Sequence, residues 1–359
     1  MMNKRFLILV INPGSTSTKL SLYENETEIK KRIIQHKKGE FEGCRNVLDQ
    51  KPILVKYIRE FLKETKPASN DLDAVVGRGG LVQPLDSGTY LVNEKMKEDL
   101  VDEAASSHAS ALGGLIAADI AEELGIPAYV VDPVVVDEME PYAKLTGFPG
   151  IERRSVFHAL NAKAVARRCA NDLGIHYEDG RFVVAHMGGG ITVGAHRYGR
   201  VIDVNDGIAG EGPFSPERCG CVPLEPIIEM CYSGKIEKEE MLAMLQKRGG
   251  LISYLGTNDL TQIEKMIRDG DEYAALVVDS MAYQVSKEIG AMVACLEGRV
   301  DAIILTGGLS NSVRFTGSIK QRVSRIAKVF TYPGEDEMGA LALGALGVLQ
   351  GLRQVKEYQ

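Results

Sequence analysis

Three short runs of small residues stand where a chain could wrap an anion. Asn12-Pro13-Gly14-Ser15-Thr16, Met187-Gly188-Gly189-Gly190 and Thr306-Gly307-Gly308-Leu309-Ser310 each follow an apolar run of strand length. Glycine lets a backbone come close to a phosphate, and successive N–H groups of such a turn then point at the anion. One such turn is ordinarily a tight hairpin; three at strand ends favour an anionic ligand. Two arginines stand apart from the Lys and Arg of the amphipathic helices. Arg78 sits in Gly77-Arg78-Gly79-Gly80 after a short apolar run, and Arg218 lies in an irregular Gly- and Pro-rich stretch. A guanidinium can hold a carboxylate or a phosphoryl group through two parallel hydrogen bonds.

The better-known ways of binding a nucleotide or cleaving a bond are missing. The sequence has no G-x-x-x-x-G-K-[ST], no G-x-G-x-x-G opening a helix after the first strand, and neither H-E-x-x-H nor G-x-S-x-G. What remains is nucleotide binding by two halves, each with its own phosphate turn.

The elements that must carry these turns alternate along the chain. Phe6–Ile11 reads as a buried strand with Lys19–Tyr23 as its hairpin partner, Val47–Lys63 as a helix, and Ala74–Val76 as a strand leading to Arg78. Ser110–Leu124 has helical spacing and is stopped by Gly125 and Pro127, and Ala128–Val131 is a strand ending at Asp132. Val183–His186 and Ile191–His196 repeat the opening pattern, so that Asn12 falls on His186 and Gly14 on Gly188. This predicts an α/β class built from a duplicated domain. The boundary is expected near Gly147–Ile151, giving domains 1–150 and 151–336, with the C-terminal helix 337–359 folding back onto the first.

Composition bounds the partners. The 359 residues suggest two domains, and 45% apolar with 25% charged residues is the balance of a globular protein. A formal net charge of -7 argues against nucleic acid and anionic membranes. No apolar run reaches the roughly 20 residues of a membrane span, and Met338–Leu352 reads as a buried helix with a small-residue face. Six cysteines without a C-x-x-C pair suggest free thiols in a reducing cytosol. A cytoplasmic location is expected.

Val10-Ile11-Asn12-Pro13-Gly14-Ser15-Thr16-Ser17-Thr18-Lys19 resembles the first phosphate motif of the acetate kinase family, within the actin, Hsp70 and sugar kinase superfamily. Arg153-Arg154-Ser155-Val156-Phe157-His158, Ala185-His186-Met187-Gly188-Gly189-Gly190, Glu217-Arg218-Cys219-Gly220 and Leu305-Thr306-Gly307-Gly308 resemble further motifs of that family, in order. Gly77-Arg78-Gly79-Gly80-Leu81 and Glu211-Gly212-Pro213-Phe214-Ser215-Pro216 are closest to its butyrate and branched-chain fatty acid kinase branch. The resemblance implies two actin-like (ribonuclease H-like) domains with a central cleft, ATP and Mg²⁺ as cofactors, a short-chain fatty acid as acceptor, and a homo-oligomer, a dimer or a multiple of one. The implied reaction is reversible in-line transfer from ATP to the carboxylate of butyrate or an acid such as isobutyrate. An acetate or propionate kinase, a sugar kinase, and a non-catalytic ATP-switched module like actin or Hsp70 are the alternatives.

A carboxylate is already a competent nucleophile, so such a reaction needs positioning and charge neutralisation rather than a base. Arg78 and Arg218 would serve the acid and the transferring phosphoryl group. By resemblance His158 stabilises the transition state, Asp132 helps place His158 or the metal, and Glu337 anchors Mg²⁺ with Asn12 near it. Gly14, Ser15, Ser17, His186, Gly188, Gly189 and Gly190 would meet the phosphates. Gly307, Gly308 and Leu309 would line the adenosine site with Asp259 nearby, and His108 would lie near the acyl group. Ser155 reads as the N-cap of the helix to about Arg168, placing His158 in its first turn. Two departures stand out: acetate kinases carry Asn where this chain has Gly189, and a Val-Val-His run where it has Gly79-Gly80-Leu81. The second suggests an acyl pocket enlarged by the missing side chains.

Overall fold

The computed structural model of the chain describes residues 4–65, 71–106, 109–208 and 210–359; His108 lies outside them. The chain divides into two compact units, Met1–Val136 with Asp336–Gln359, and Asp137–Glu335. The crossing at Asp137 comes earlier than the expected Gly147–Ile151. Residues past it are tied to the second unit: Glu138 pairs with buried Lys163 at 2.9 Å, and the Glu140 N–H donates to Ile202 O at 3.0 Å.

In the first unit, seven described strands form one sheet. They are β1 (Leu7–Pro13), β2 (Ser17–Glu24), β3 (Thr27–Gln35), β4 (Ala74–Gly77), β5 (Thr89–Leu91), β6 (Ala128–Val131) and β12 (Lys356–Glu357), in the order β12-β5-β6-β4-β1-β2-β3. Three antiparallel strands (β1, β2, β3) are followed by β4, parallel to β1, and β6, parallel to β4, while β5 pairs antiparallel with β6. Every residue of β1 is buried, as a strand covered on both faces requires. Helices α1 (Lys51–Glu64), α2 (Glu94–Ser106) and α3 (Ala111–Leu124) pack with the sheet around Leu9, Ile11, Phe61 and Leu112. Helix α12 (Glu337–Leu349) is buried along most of its length. A Cβ at Gly344 would collide with Val131, so the Gly/Ala composition lets the helix axis come close to β6.

The second unit repeats this plan. Strands β7 (Arg181–Met187), β8 (Ile191–Arg197), β9 (Arg200–Val204), β10 (Ala302–Gly307) and β11 (Lys328–Pro333) lie in the order β11-β10-β7-β8-β9. Again an antiparallel meander is extended by two parallel strands. This matches β6-β4-β1-β2-β3 strand for strand, which is the duplicated actin-like arrangement. The helices are α4 (Pro141–Lys144), α5 (Ala159–Leu173), α6 (Leu224–Tyr232), α7 (Lys238–Gln246), α8 (Gly250–Leu255), α9 (Leu260–Arg268), α10 (Glu272–Cys295) and α11 (Val313–Val323). The 24-residue α10 supplies much of this unit's core. Ser155 is not the N-cap of α5. The cap position is His158 itself, because Val156 and Phe157 are drawn into the core and keep the segment irregular until Ala159. Among the described residues no helix is long and apolar enough to cross a membrane, and all six cysteines are free.

Close backbone contact fixes where β4 delivers its arginine. A Cβ at Gly113 on α3 would lie 2.8 Å from Arg78 N and closer still to Arg78 O. Glycine normally weakens a helix by about 1 kcal/mol relative to alanine. Gly113→Ala should nevertheless destabilise the protein, by about 1–3 kcal/mol, because the added methyl overpacks this contact. Urea unfolding reads the sign directly: a stabilised variant would mean that α3 can retreat freely from β4.

Candidate functional site

In the first unit the turn Gly14–Ser17 joins β1 to β2, with the Gly14 N–H donating to Ser17 O at 2.9 Å. Ser15 is exposed and Ser17 half-buried. Asn12, the penultimate residue of β1, is buried and donates from Nδ2 to Glu337 Oε2 at 2.8 Å. The other Glu337 oxygen, Oε1, accepts from Arg78 Nη1 in an ion pair. Glu337 is therefore gripped from both sides at the first turn of α12, at the positive end of the helix, where a carboxylate is favoured. Asn12, Arg78 and Glu337 come from β1, the end of β4 and α12, and the fold brings them together.

Asp132 follows β6 in a left-handed conformation, φ +38, that non-glycine residues rarely adopt. Its Oδ1 accepts from Gly88 N–H at 2.7 Å, and its own N–H donates to Gly88 O at 3.0 Å. The positions of Gly79 and Gly80 are not empty. A Cβ at Gly79 would run into Val130 and Pro133, and one at Gly80 would overlap the Glu103 carboxylate. The missing side chains are thus replaced by neighbours, and no enlarged pocket follows from them. Glu103 is only 7% exposed, and burial pushes its carboxyl up to about 7 although Leu81 N–H donates to it.

The second unit's phosphate-type turn, Gly188–Gly190, joins β7 to β8 and closes on itself through Gly188 N–H to Gly190 O at 2.9 Å. It is stitched to the loop carrying Arg218. Ser215 Oγ donates to Gly189 O at 2.6 Å, the Glu217 N–H donates to the same oxygen at 3.3 Å, and Arg218 N–H donates to Ser215 Oγ at 3.1 Å. Arg218 lies so close over Gly190 that any Cβ there would meet its guanidinium. Its Nε and Nη1 are buried and have no hydrogen-bond partner among the described residues. Burial pulls this guanidinium below its usual value, with Glu217 and Asp206 opposing. A buried cation without acceptors is costly, and an incoming anion relieves that cost. At Gly189 a Cβ would lie 3.1 Å from a Glu217 oxygen, and Glu217 also accepts from Asn258 Nδ2 at 3.0 Å. Glu217 thus occupies the space that an asparagine at 189 would need.

His158, half-buried before α5, stacks on His186 at the end of β7, with ring centroids 3.8 Å apart and planes 10° off parallel. His158 Nδ1 lies 3.1 Å from Thr192 Oγ1. The third turn is pressed against the second. Gly307 has φ +87, and a Cβ there would collide with the Met187 backbone, so glycine is required twice over. Its N–H donates to Gly334 O at 3.1 Å. Gly308 opens onto free space and Leu309 is buried. Asp259 accepts from Thr261 and Gln262 N–H as the N-cap of α9.

No three His, Cys, Asp or Glu among the described residues form a cluster able to hold a metal. Mg²⁺ does not need one, since it keeps several waters and takes one or two protein carboxylates beside substrate phosphates. The single carboxylate of Glu337 beside the Asn12 amide fits that pattern. Sequence reasoning singled out Arg78, Arg218, His158 and His186 as candidates. It gave no role to Ser215, Glu217, Asn161 and Glu335, whose contacts to Gly189 and His186 span long stretches of chain.

Residues 143–330 match a family model described as the acetokinase family. The fold is similar to the crystal structure of Porphyromonas gingivalis acetate kinase, with a TM-score of 0.80 and 21% identity over 96% of this chain and 100% of that one. It is also similar to a propionate kinase from Francisella tularensis subsp. tularensis SCHU S4, with a TM-score of 0.75 and 19% identity over 94% and 98% of the two chains. Acetate kinase from Entamoeba histolytica gives a TM-score of 0.75 and 17% identity over the same shares, 94% and 98%.

Two stability measurements follow from this geometry. Arg218→Met should leave unliganded stability unchanged or raise it by about 1–3 kcal/mol, because it removes buried donors without acceptors; a lowered thermal midpoint would show that the guanidinium is already compensated. Glu103 gives a pH signature. Its folded value of about 7 exceeds the ordinary 4.5. Stability is therefore full below the unfolded value and falls as pH rises through the folded one. Glu103→Gln abolishes that loss, so its advantage over the parent protein in urea midpoint should grow between about pH 5 and pH 8. A constant difference across that range would mean that Glu103 titrates normally.

Proposed function

The chain belongs to the acetokinase family, and from that premise we propose that it transfers the γ-phosphoryl group of ATP to the carboxylate of a short-chain fatty acid, butyrate or a branched acid such as isobutyrate. The observation that carries this reading is Arg218, a guanidinium buried on the Gly188–Gly190 turn with two nitrogens lacking acceptors among the described residues. It supports a doubly anionic encounter, in which acid and phosphate must approach each other against their repulsion.

In the proposed step a carboxylate oxygen attacks the γ-phosphorus, the bond from that phosphorus to the ADP oxygen breaks, and no proton changes hands. Arg218 neutralises charge on the equatorial oxygens, where preorganised donors act most strongly. His158 donates to the same oxygens from the start of α5. Arg78 binds the acid, and its ion pair with Glu337 holds the guanidinium in place before the acid arrives. The Gly14–Ser17 and Gly188–Gly190 turns would offer backbone N–H groups to the phosphates, and the Gly307–Leu309 segment would line the adenosine site. Mg²⁺, when bound, would be held by Glu337 with Asn12 and would supply further neutralisation of phosphate charge.

Preference for the longer acids rests on the branch-like motifs at 77–81 and 211–216. A second reading, acetate or propionate kinase, is favoured by the filled space at Gly79 and Gly80.

A hydroxamate assay for acyl phosphate separates these readings, with acetate, propionate, butyrate and isobutyrate as acids and with glycerol and hexoses as controls. The expected result is a kcat/KM for butyrate or isobutyrate at least about 10-fold above acetate, the scale of discrimination one buried methylene allows. Arg78→Ala should abolish acyl phosphate formation. A clear acetate preference would move the enzyme to the second reading. ADP release with a hexose and no hydroxamate from any acid would sink both.

A further inference from the structure

His186 ends β7 beside the Gly188–Gly190 turn, yet its ring does not look outward. It is 1% exposed and lies beneath His158, parallel to it. Both of its nitrogens face oxygen. Nδ1 lies 2.9 Å from Asn161 Oδ1, and Nε2 lies 3.0 Å from Glu335 Oε1, as an ion-pair contact set off the line of a hydrogen bond. Asn161 is itself buried in the first turn of α5 and accepts from Thr306 Oγ1 of β10 at 3.3 Å. Glu335 lies in the segment after β11, close to Gly188. The inner ring is thus faced at its two edges by residues of two separate elements, and β10 braces one of them through Thr306.

We infer that His186, held by Asn161 and Glu335, is a positioning residue that fixes the ring plane of His158 for phosphoryl transfer. The inference rests on the carboxylate kinase reading for the role of His158, but its geometry does not. Offset or parallel stacking of flat rings at this separation favours one orientation. An imidazole can turn about its outer torsion with little resistance, because such torsions are broad. His158 has one edge set by Thr192 Oγ1 and its face set by His186. Rotating it would break the first contact and the second together. His186 could not serve as that platform if it could turn itself. Asn161 on one edge and Glu335 on the other remove this freedom. The burial also argues against direct contact between His186 and a nucleotide. A catalytic donor misplaced by about 1 Å can lose on the order of 100-fold in rate, so a fixed platform under His158 matters to the chemistry and not only to packing.

The test uses the full chain with two substitutions. Glu335 is exposed, so Glu335→Gln keeps the ring while removing the carboxylate; His186→Ala removes the platform. Long-range proton–nitrogen NMR of the resting protein, without substrates, reads the His158 tautomer. One tautomer is expected in the parent protein and averaged signals in both variants. In steady-state assays kcat should fall about 10- to 100-fold with KM for ATP and acid nearly unchanged. Unaltered His158 signals in His186→Ala would overturn the inference. So would a KM for ATP that rises strongly at constant kcat, since that would make His186 a direct nucleotide ligand. The NMR readout keeps its meaning even if no acid proves to be a substrate, so the two proposals can fail separately.

Discussion

A guanidinium with two nitrogens shut off from water, and without acceptors among the described residues, is the constraint around which the second unit is organised. Among the described residues, Nε and Nη1 of Arg218 make no hydrogen bond that would place it. It is placed by backbone: its N–H and C=O bond to Ser215, and Ser215 and Glu217 are stitched to Gly189. Gly249 and Gly250 then close the loop from behind, because a Cβ at either would meet the backbone of residues 215–219. Holding a cation this way leaves its charge for something else. The cost of burial is borne by the surrounding core, in which α10 contributes a long buried face, and the guanidinium keeps preorganised donors, the arrangement that an anion would need under the proposed reading.

The first unit solves the same problem by pairing. Arg78 is neutralised by Glu337, and Asn12 satisfies the other carboxylate oxygen. Breaking a buried pair by removing one partner is far more damaging than replacing both, so Arg78 and Glu337 must be read as one element. The backbone contacts around them are equally tight. Gly77 and Gly113 bring β4 and α3 into direct main-chain contact, which leaves Arg78 little room to move except through its own side chain.

How much of this could be read from the sequence depended on range. Apolar runs ending in glycine turns gave β1, β4, β7 and β10 and the places of Asn12, Arg78, His186 and Gly307, because strand and turn chemistry are local. Arg218 was visible as an arginine outside any amphipathic pattern. The start of α5 was misread because Ser155 has the right type for a cap, whereas burial of Val156 and Phe157 decides where the helix can begin. Gly79 and Gly80 suggested vacant space for a similar reason: a sequence shows that side chains are missing but not that Val130, Pro133 and Glu103 fill the volume. Ser215 and Glu217 lie inside the motifs at 211–216 and 217–220, but their bonds to Gly189 are long-range; Asn161 and Glu335 act on His186, far away in the chain, and nothing in their immediate neighbourhood marks them.

The two units share a plan but have drifted apart in chemistry at one equivalent point. Asn12 and His186 are both the penultimate residues of the first strand of a unit, and each faces an acid from the short segment 335–337. In the first unit that acid is Glu337, and the strand residue is an amide that can only donate or accept while staying neutral. A neutral partner leaves the carboxylate its full charge for a cation. In the second unit the acid is Glu335, and the strand residue is an imidazole, a ring that can stack. The stack carries the consequence outward to His158, whereas the amide ends at its carboxylate. A single strand position, duplicated with its fold, thus supports a cation in one half and an aromatic platform in the other. The difference lies in whether the side chain offers a flat face as well as a polar edge.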